Sequence, residues 1–300
     1  MRNRRGYGLA GWLVILAIAL PGLGASRDLD EVRADGVLRH LGVPYANFVT
    51  GSGDGLDVEL MQGFAEHLGV RYEYVETDWK RVIPDLSGVQ VRAKDGKADI
   101  LGEAPVRGDV IANGLTILPW RQEVIAYAEP TFPSGVWLIA KAEHEIKPIR
   151  ASGDQLVDVV TVKELMHAQD VLTMPNTCLD ADLYALDDTG ARVEIYDRST
   201  NLNEMVPAIL GGQMNSSMTL LDVPDALIAL QKWPGRIKVI GPVSGEQFMA
   251  PAFAKDAPRL REAFNAYMSE LRADGRYRAM VERYYPAVFL HFPEFFDPRG

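Results

Sequence analysis

The sequence has a single cysteine, Cys178, and only five histidines in 300 residues. One cysteine excludes an intramolecular disulfide framework. The histidines are scattered along the chain, and with one cysteine they do not reproduce the spacing of a common zinc site. We therefore expect no structural disulfide, no metal centre and no bound cofactor.

Basic residues are also scarce. The 31 lysines and arginines are outnumbered by 41 aspartates and glutamates, which gives a formal net charge of −10. A protein that binds nucleic acid generally needs surplus positive charge to neutralise phosphates. The composition therefore predicts no nucleic-acid partner, and it argues against docking on an anionic membrane surface.

Common enzyme signatures are missing too. The sequence contains no GxxxxGK[ST] phosphate loop, no GxSxG elbow and no HExxH, and beyond residues 1–25 it contains no GxGxxG. The glycine-rich residues 51–55 fit none of these spacings, so we interpret them as a turn. No catalytic residue is assigned from the sequence.

The most hydrophobic run of the chain lies near its N-terminus. A basic stretch at residues 2–5 precedes the apolar run 9–20, which is followed by small residues up to Ala25. This run is short for a membrane span, which needs about 20 residues, but it suits the hydrophobic region of a secretory signal peptide. We interpret residues 1–25 as a signal peptide for export to the periplasm, cleaved near Ala25. The alternative is an uncleaved anchor helix.

The remaining chain is long enough for about two domains and, at 47% hydrophobic residues, can bury a substantial core. Short β-like runs alternate with amphipathic helical patterns, which predicts an α/β fold. Leu60, Phe64 and Leu68 share one face of a helix that ends before Gly69, and residues 70–75 alternate as a strand does.

Glycine and proline residues mark two segments that bracket the middle of the chain, at 130–135 and 241–245. The strand–helix alternation is present before, between and after them. One domain made of two separated pieces, with a second domain inserted, is consistent with this pattern.

One stretch carries a resemblance to a known family. Residues 114–121 read Gly-Leu-Thr-Ile-Leu-Pro-Trp-Arg and are followed by the apolar segment 124–130. This sequence resembles the family 3 extracellular solute-binding proteins of ABC uptake systems. Similar matches to that family, in its order, occur at residues 36–39, 55–60, 78–86 and 253–275.

The resemblance implies a fold. It predicts the two-lobed periplasmic binding protein fold of type II, in which each lobe is a mixed sheet flanked by helices and two crossovers form a hinge. Lobe 1 is expected to comprise residues 26–138 and 246–300. Lobe 2 is expected to be the inserted segment 139–245.

The resemblance also implies a ligand site, and elementary chemistry supports it. A free amino acid carries a carboxylate and an ammonium, and burying either one unpaired costs several kcal/mol. Arg121 can offer a carboxylate two parallel donors, and Thr116 can add a hydroxyl. In the family these positions bind the ligand carboxylate, with backbone groups near Asn113 and Gly114 assisting.

The second lobe is expected to supply the complementary groups. By resemblance, Asp222 pairs with the ligand ammonium, although it could instead simply cap the helix that follows. Asn176, Thr177 and Cys178 match a loop that opens a helix and receives anions. A cysteine is a departure there, and Cys178 could equally be a packed small residue.

Two aromatic residues complete the predicted site, because Tyr45 and Trp79 match positions that sandwich the ligand side chain. Leu118 and Trp120 replace residues that are usually polar in the family. The aromatic segment 284–296 has no assignment, and it is compatible with packing on the first lobe or with docking to a partner.

These observations predict a monomeric periplasmic substrate-binding component that takes up a small carboxylate-bearing solute and delivers it to an inner-membrane ABC permease. One alternative is an accessory protein of a periplasmic dehydrogenase or a sensor. Another is a cyclohexadienyl dehydratase-like enzyme, for which Glu103, Asp109 or Asp222 could act as the acid.

Overall fold

The computed structural model describes residues 26–297. The predicted signal peptide lies outside the described residues. The first part of the chain forms α1 (Leu29–Asp35), β1 (Val37–Gly42), α2 (Leu56–Leu68), β2 (Arg71–Glu76), α3 (Val82–Ser87), β3 (Val89–Lys94), β4 (Lys97–Glu103), β5 (Val110–Ile111), α4 (Pro119–Gln122), β6 (Ile125–Tyr127) and β7 (Phe132–Ser134).

The middle of the chain begins with the next strand. It forms β8 (Val136–Lys141), α5 (Gln155–Leu165), β9 (Asp170–Thr173), β10 (Arg192–Ile195), α6 (Met205–Leu210), β11 (Met218–Asp222), α7 (Val223–Lys232) and β12 (Ile237–Pro242). The last part forms β13 (Gln247–Met249), β14 (Ala252–Ala254), α8 (Pro258–Ala273), α9 (Arg276–Tyr284), α10 (Val288–His291) and α11 (Pro293–Phe296).

Two five-stranded sheets organise these elements. The first has the strand order β2-β1-β5-β14-β6, so that β14, from the end of the chain, pairs between strands from its beginning. The second has the order β10-β9-β11-β8-β12. Each sheet is mixed, because β14 runs antiparallel to β5 and β8 runs antiparallel to β11. The predicted two-lobed α/β fold is confirmed.

The chain crosses between the sheets through two short antiparallel strands, β7 and β13. Gln247 lies opposite Ser134, and Met249 lies opposite Phe132. The exact residue limits of the lobes stay a prediction. The expected boundary between residues 138 and 139 falls inside β8, whose Trp137 already pairs with the second sheet.

Local sequence explains much of the first lobe. Helix α2 buries Leu60 and Phe64 completely, as their spacing predicts. It ends at Gly69, which adopts a left-handed conformation with φ +73° and satisfies the last carbonyl groups. The strand predicted at residues 70–75 is β2, displaced by one residue.

No helix between residues 26 and 297 combines the length and the apolar character needed to cross a bilayer. Over the same residues, no cluster of three or more histidine, cysteine, aspartate or glutamate side chains is arranged to hold a metal ion.

Candidate functional site

Arg121 is a buried cation held by the backbone. It lies in α4, a single turn that begins at Pro119, and is only 2% exposed. Its Nη1 donates to the carbonyl oxygen of Thr116 at 2.9 Å, whereas its Nε has no partner. In the described part of the chain, no carboxylate forms an ion pair with it. The guanidinium is therefore desolvated without a matching anion.

Asp222 is a buried anion on the other sheet. It ends β11, and one of its oxygens accepts from the N–H of Asp225 at 3.2 Å, which caps α7. The other oxygen lies 3.5 Å from the Sγ of Cys178, and the hydroxyl of Tyr45 faces the same carboxyl. Burial raises the pKa of Asp222 to about 6. Asp222 therefore does cap α7, as the alternative interpretation expected, but the cap uses only one of its two carboxylate oxygens.

These groups meet where the two sheets face each other. Cys178 is 5% exposed and lies beside Thr116 and Arg121 of the first lobe as well as Asp222 of its own. Burial raises the pKa of the Cys178 thiol well above its usual range, and the neighbouring Asp222 raises it further. The structure therefore brings together five of the predicted site residues, Tyr45, Thr116, Arg121, Cys178 and Asp222.

Asn113 and Gly114 lie next to this group. Asn113 is fully buried, and within the described part of the chain neither its side-chain oxygen nor its nitrogen has a hydrogen-bond partner. The N–H of Gly114 donates to Asp57 at 2.7 Å and is therefore already engaged. Burial raises the pKa of Asp57 to about 7, and this hydrogen bond partly opposes the shift. Of the two residues, Asn113 offers the free polar atoms.

The loop at 176–178 differs from expectation. The hydroxyl of Thr177 donates to the carbonyl of Met174 at 2.7 Å and accepts from the N–H of Leu179 at 3.0 Å, so it stabilises the loop itself. The resemblance implies that a helix follows this loop. Two 3-10 helices follow, Ala181–Tyr184 and Leu186–Thr189, and Ala185 lies between them with φ +50°.

Asn176 lies at the edge of this loop and is exposed. Its Oδ1 accepts from the N–H of Ala93 in β3 at 3.3 Å. It therefore connects the second lobe to the β3–β4 hairpin of the first.

An aromatic pair lies beside the buried charges, and Tyr45 is its fully buried member. The rings of Tyr45 and Trp79 meet edge to face with centroids 5.6 Å apart, and the Nε1 of Trp79 has no partner. Beside Trp79 lies a cavity of about 150 Å³ whose walls come from both lobes, including Lys80 of the first and Met174 and Tyr196 of the second.

Three residues of the site were not predicted. The hydroxyl of Tyr127 donates to the Thr116 carbonyl at 2.9 Å, beside Arg121. The hydroxyl of Tyr184 donates to the carbonyl of Cys178, and Gln247 Nε2 donates to that hydroxyl at 3.3 Å. Tyr127 could have been predicted as a site residue, because it lies in the apolar segment that follows Arg121. The other two had no sequence signal, because their contacts form only where hinge and lobe meet.

The chain resembles several known proteins. It is 23% identical over 282 residues to the probable amino-acid-binding protein YxeM of Bacillus subtilis, with 92% of each chain covered. It is 26% identical over 237 residues, 78% of this chain, to the membrane-bound lytic murein transglycosylase F of Desulfosudis oleivorans. It spans only 44% of that protein's length.

Solved structures share the fold. A mutant of ArgBP from T. maritima superposes with a TM-score of 0.66 at 21% identity, covering 86% of this chain and 99% of that one. The ancestral amino acid-binding protein AncCDT-1, a precursor of cyclohexadienyl dehydratase, gives 0.63 at 20% identity, covering 86% and 98%. At this identity the likeness concerns the fold.

The sequence profile of one family covers most of the chain. The profile of the bacterial extracellular solute-binding proteins, family 3, matches residues 42–287, which include the second sheet, four of the five strands of the first, the hinge strands and every residue of the site described above. The chain therefore belongs to the bacterial extracellular solute-binding proteins, family 3.

Proposed function

We propose that this protein is the exported binding component of an ABC-type uptake system, and that it holds an α-amino acid or a related organic acid between its lobes. The observation that supports this most directly is the burial of Arg121 and Asp222 on opposite lobes, where neither has an ion-pair partner among residues 26–297. Each charge loses its hydration and gains no counter-ion. A zwitterion between them would offer its carboxylate to Arg121 and its ammonium to Asp222.

The surrounding residues suit this assignment. Because Nη1 of Arg121 is held by the Thr116 carbonyl, the guanidinium has a fixed orientation, and its Nε–H remains for a carboxylate oxygen. The unpartnered side-chain amide of Asn113 offers further hydrogen bonds. Tyr45 and Trp79 would flank the ligand side chain. The N–H of Gly114 already donates to Asp57, so Gly114 would contribute by letting the ligand approach the backbone closely, since it has no side chain.

The second-lobe loop would contribute mainly shape. Thr177 lines the cavity beside Trp79, while Cys178 would contact the ligand next to Asp222. Asn176 would bind at the rim. A ligand that touches both lobes favours the closed arrangement, since its contacts with one lobe are lost when the hinge opens.

Location and partners follow from the same proposal. The basic and apolar N-terminus would direct the chain to the periplasm, where the loaded form would meet an inner-membrane permease. We propose that the protein acts as a monomer and binds no nucleic acid.

A binding role fits the carboxyl groups better than catalysis does. Of the three acids considered above, Glu103 is exposed at the end of β4. Asp109 is engaged with Arg27 and with the N–H of Arg39. Only Asp222 lies in the cleft. We therefore propose no catalytic residue.

The proposal is tested by calorimetry with the twenty common L-amino acids. At least one is expected to bind with a dissociation constant of about 1 μM or tighter. For each amino acid that binds, the matched amine without the carboxylate and the matched acid without the amine are expected to bind about tenfold more weakly or worse. If none of these compounds binds, and a protein instead co-purifies, the accessory role replaces the transport role.

A further inference from the structure

The chain continues beyond the family match, which ends at residue 287. Residues 288–297, here called the aromatic tail, form α10 and α11 and fold back on the hinge. The ring of Phe296 lies against Phe132 of β7, with centroids 6.0 Å apart. The ring of Phe295 stacks on Phe248 of β13 at 5.9 Å. Each hinge strand therefore carries one ring of the tail.

The aromatic tail is anchored to the first lobe. Inside the tail, Phe289 packs on Phe296 with centroids 4.7 Å apart, and the guanidinium of Arg278 in α9 lies 4.4 Å from the Phe289 ring. Immediately before the tail, Tyr285 is fully buried and its hydroxyl accepts from the N–H of Asn47 at 2.8 Å. The tail therefore has a fixed position relative to lobe 1.

The aromatic tail also reaches the second lobe. The ring of His291 meets that of Trp137 at 5.4 Å, in a T-shaped arrangement. Trp137 belongs to β8 and pairs with Leu221 and Pro242 in the second sheet. One short segment thus contacts lobe 1, both hinge strands and lobe 2.

The lobes are closed on each other in this arrangement. Arg121 lies beside Cys178, and the N–H of Ala46 donates to the Oδ1 of Asn203 across the cleft at 3.1 Å. Hinge opening concentrates backbone rotation in a few residues of the connecting strands. Such a rotation would carry Trp137 away from His291 and shift the Phe248 ring relative to Phe295.

We propose that the aromatic tail is an intramolecular clamp on the hinge, which favours the closed arrangement of the lobes before any ligand binds. Contacts made only in the closed state stabilise that state alone. The clamp therefore lowers the fraction of open molecules and slows access to the cleft.

The reactivity of Cys178, the single cysteine of the chain, measures the equilibrium between the open and closed arrangements in the absence of a ligand. Cys178 is covered from both lobes, so a thiol reagent such as 5,5′-dithiobis(2-nitrobenzoic acid) reaches it only when the cleft opens. The rate of the reaction in ligand-free protein measures the open fraction. Because no ligand is added, the result does not depend on the proposed amino-acid binding.

Truncation after Ala287 is expected to raise this rate about threefold to tenfold, as the loss of one or two aromatic pairs implies. The double variant F295A/F296A is expected to raise it in the same direction. The control L290A lies in the same tail with an 83% exposed side chain and is expected to leave the rate unchanged.

A second control separates clamping from general destabilisation. Val32 is fully buried in α1, and V32A is expected to lower the melting temperature without raising the thiol rate. If the truncated chain fails to fold, the thiol reaction rates of F295A/F296A and H291A test the proposal. The proposal is overturned if folded variants without these rings react at the wild-type rate, or if V32A raises the rate as much as they do.

Discussion

Arg121 donates through Nη1 to the carbonyl oxygen of Thr116 at 2.9 Å, five residues earlier in the chain. A backbone carbonyl therefore orients this buried cation, and no carboxylate of residues 26–297 neutralises the guanidinium. A preoriented charge without a counter-ion lowers the stability of the ligand-free protein, and it strengthens the binding of an anion. This relationship separates what Arg121 does for stability from what it does for binding.

Replacing Arg121 is expected to affect binding and stability in opposite directions. R121M should weaken binding of an amino-acid ligand by about 100-fold or more, because a buried carboxylate loses its charged partner. The ligand-free variant should be as stable as the wild type or more stable, because an uncompensated charge has been removed. Calorimetry and thermal unfolding measure the two effects. The exposed Arg81, paired with Asp78, gives the control R81M, expected to bind normally. Unchanged affinity in R121M would remove Arg121 from the site.

Asp222 is expected to make ligand binding depend on pH. Its pKa is raised to about 6 in the folded protein, so below that pH the carboxyl is protonated and cannot pair with an ammonium. Affinity for an amino acid should fall by up to about tenfold per unit as the pH drops below 6. Titrations at pH 5, 6 and 7 measure this change. D222N should bind weakly and without that dependence.

The same shift predicts how stability changes with pH in the ligand-free protein. A carboxyl whose pKa is raised on folding binds protons more tightly in the native state, so rising pH lowers the free energy of unfolding. The loss should occur between about pH 4, the ordinary value, and about 6. Asp57 also has a raised pKa, so the informative quantity is the wild type minus D222N, measured by urea unfolding. If that difference rises with pH, the assigned shift is wrong.

Gly114 is expected to tolerate no side chain. It has φ +66°, and a Cβ atom there would lie 2.4 Å from the Phe48 ring. Gly36 has the same φ with nothing within 4 Å, so G36A isolates the cost of the left-handed backbone, about 1 kcal/mol. G114A should cost about 1–3 kcal/mol more than G36A in urea unfolding, because the core must shift. Equal losses would mean that Phe48 moves aside freely.

Trp79 is expected to report ligand binding through its fluorescence. Its indole lines the cavity between the lobes, and its buried Nε1 has no partner among the described residues, so a bound solute changes its surroundings. In W79F, most of the ligand-induced change in emission should disappear. The control W233F lies at the end of α7, where Lys232 is 4.8 Å from its ring, and should keep the change. A full signal in W79F would place the ligand elsewhere.

Local sequence was sufficient for several elements, whereas the family resemblance singled out Arg121 and Asp222. The spacing of Leu60 and Phe64 and the stop at Gly69 determined α2, since a helix repeats every 3.6 residues and glycine adopts the left-handed cap without strain. The stretch ending in Arg121 led to the family. After Cys178 the resemblance implies a helix, and there the left-handed Ala185 divides the chain into two 3-10 helices.

Only the tertiary structure decided which polar atoms are free and what holds the hinge. The hydroxyl of Thr177 was expected to bind a ligand but donates to the Met174 carbonyl. The N–H of Gly114 was expected to do the same but donates to Asp57. Tyr184, which the sequence did not single out, hydrogen-bonds within the site. For the aromatic segment near the C-terminus, the sequence was compatible with packing on the first lobe or with docking to a partner. Its packing on Phe132 and Phe248 appears only in the tertiary structure. Periodicity reports which face of an element is buried. Contacts between residues far apart in the chain depend on how two lobes close, which no local pattern encodes.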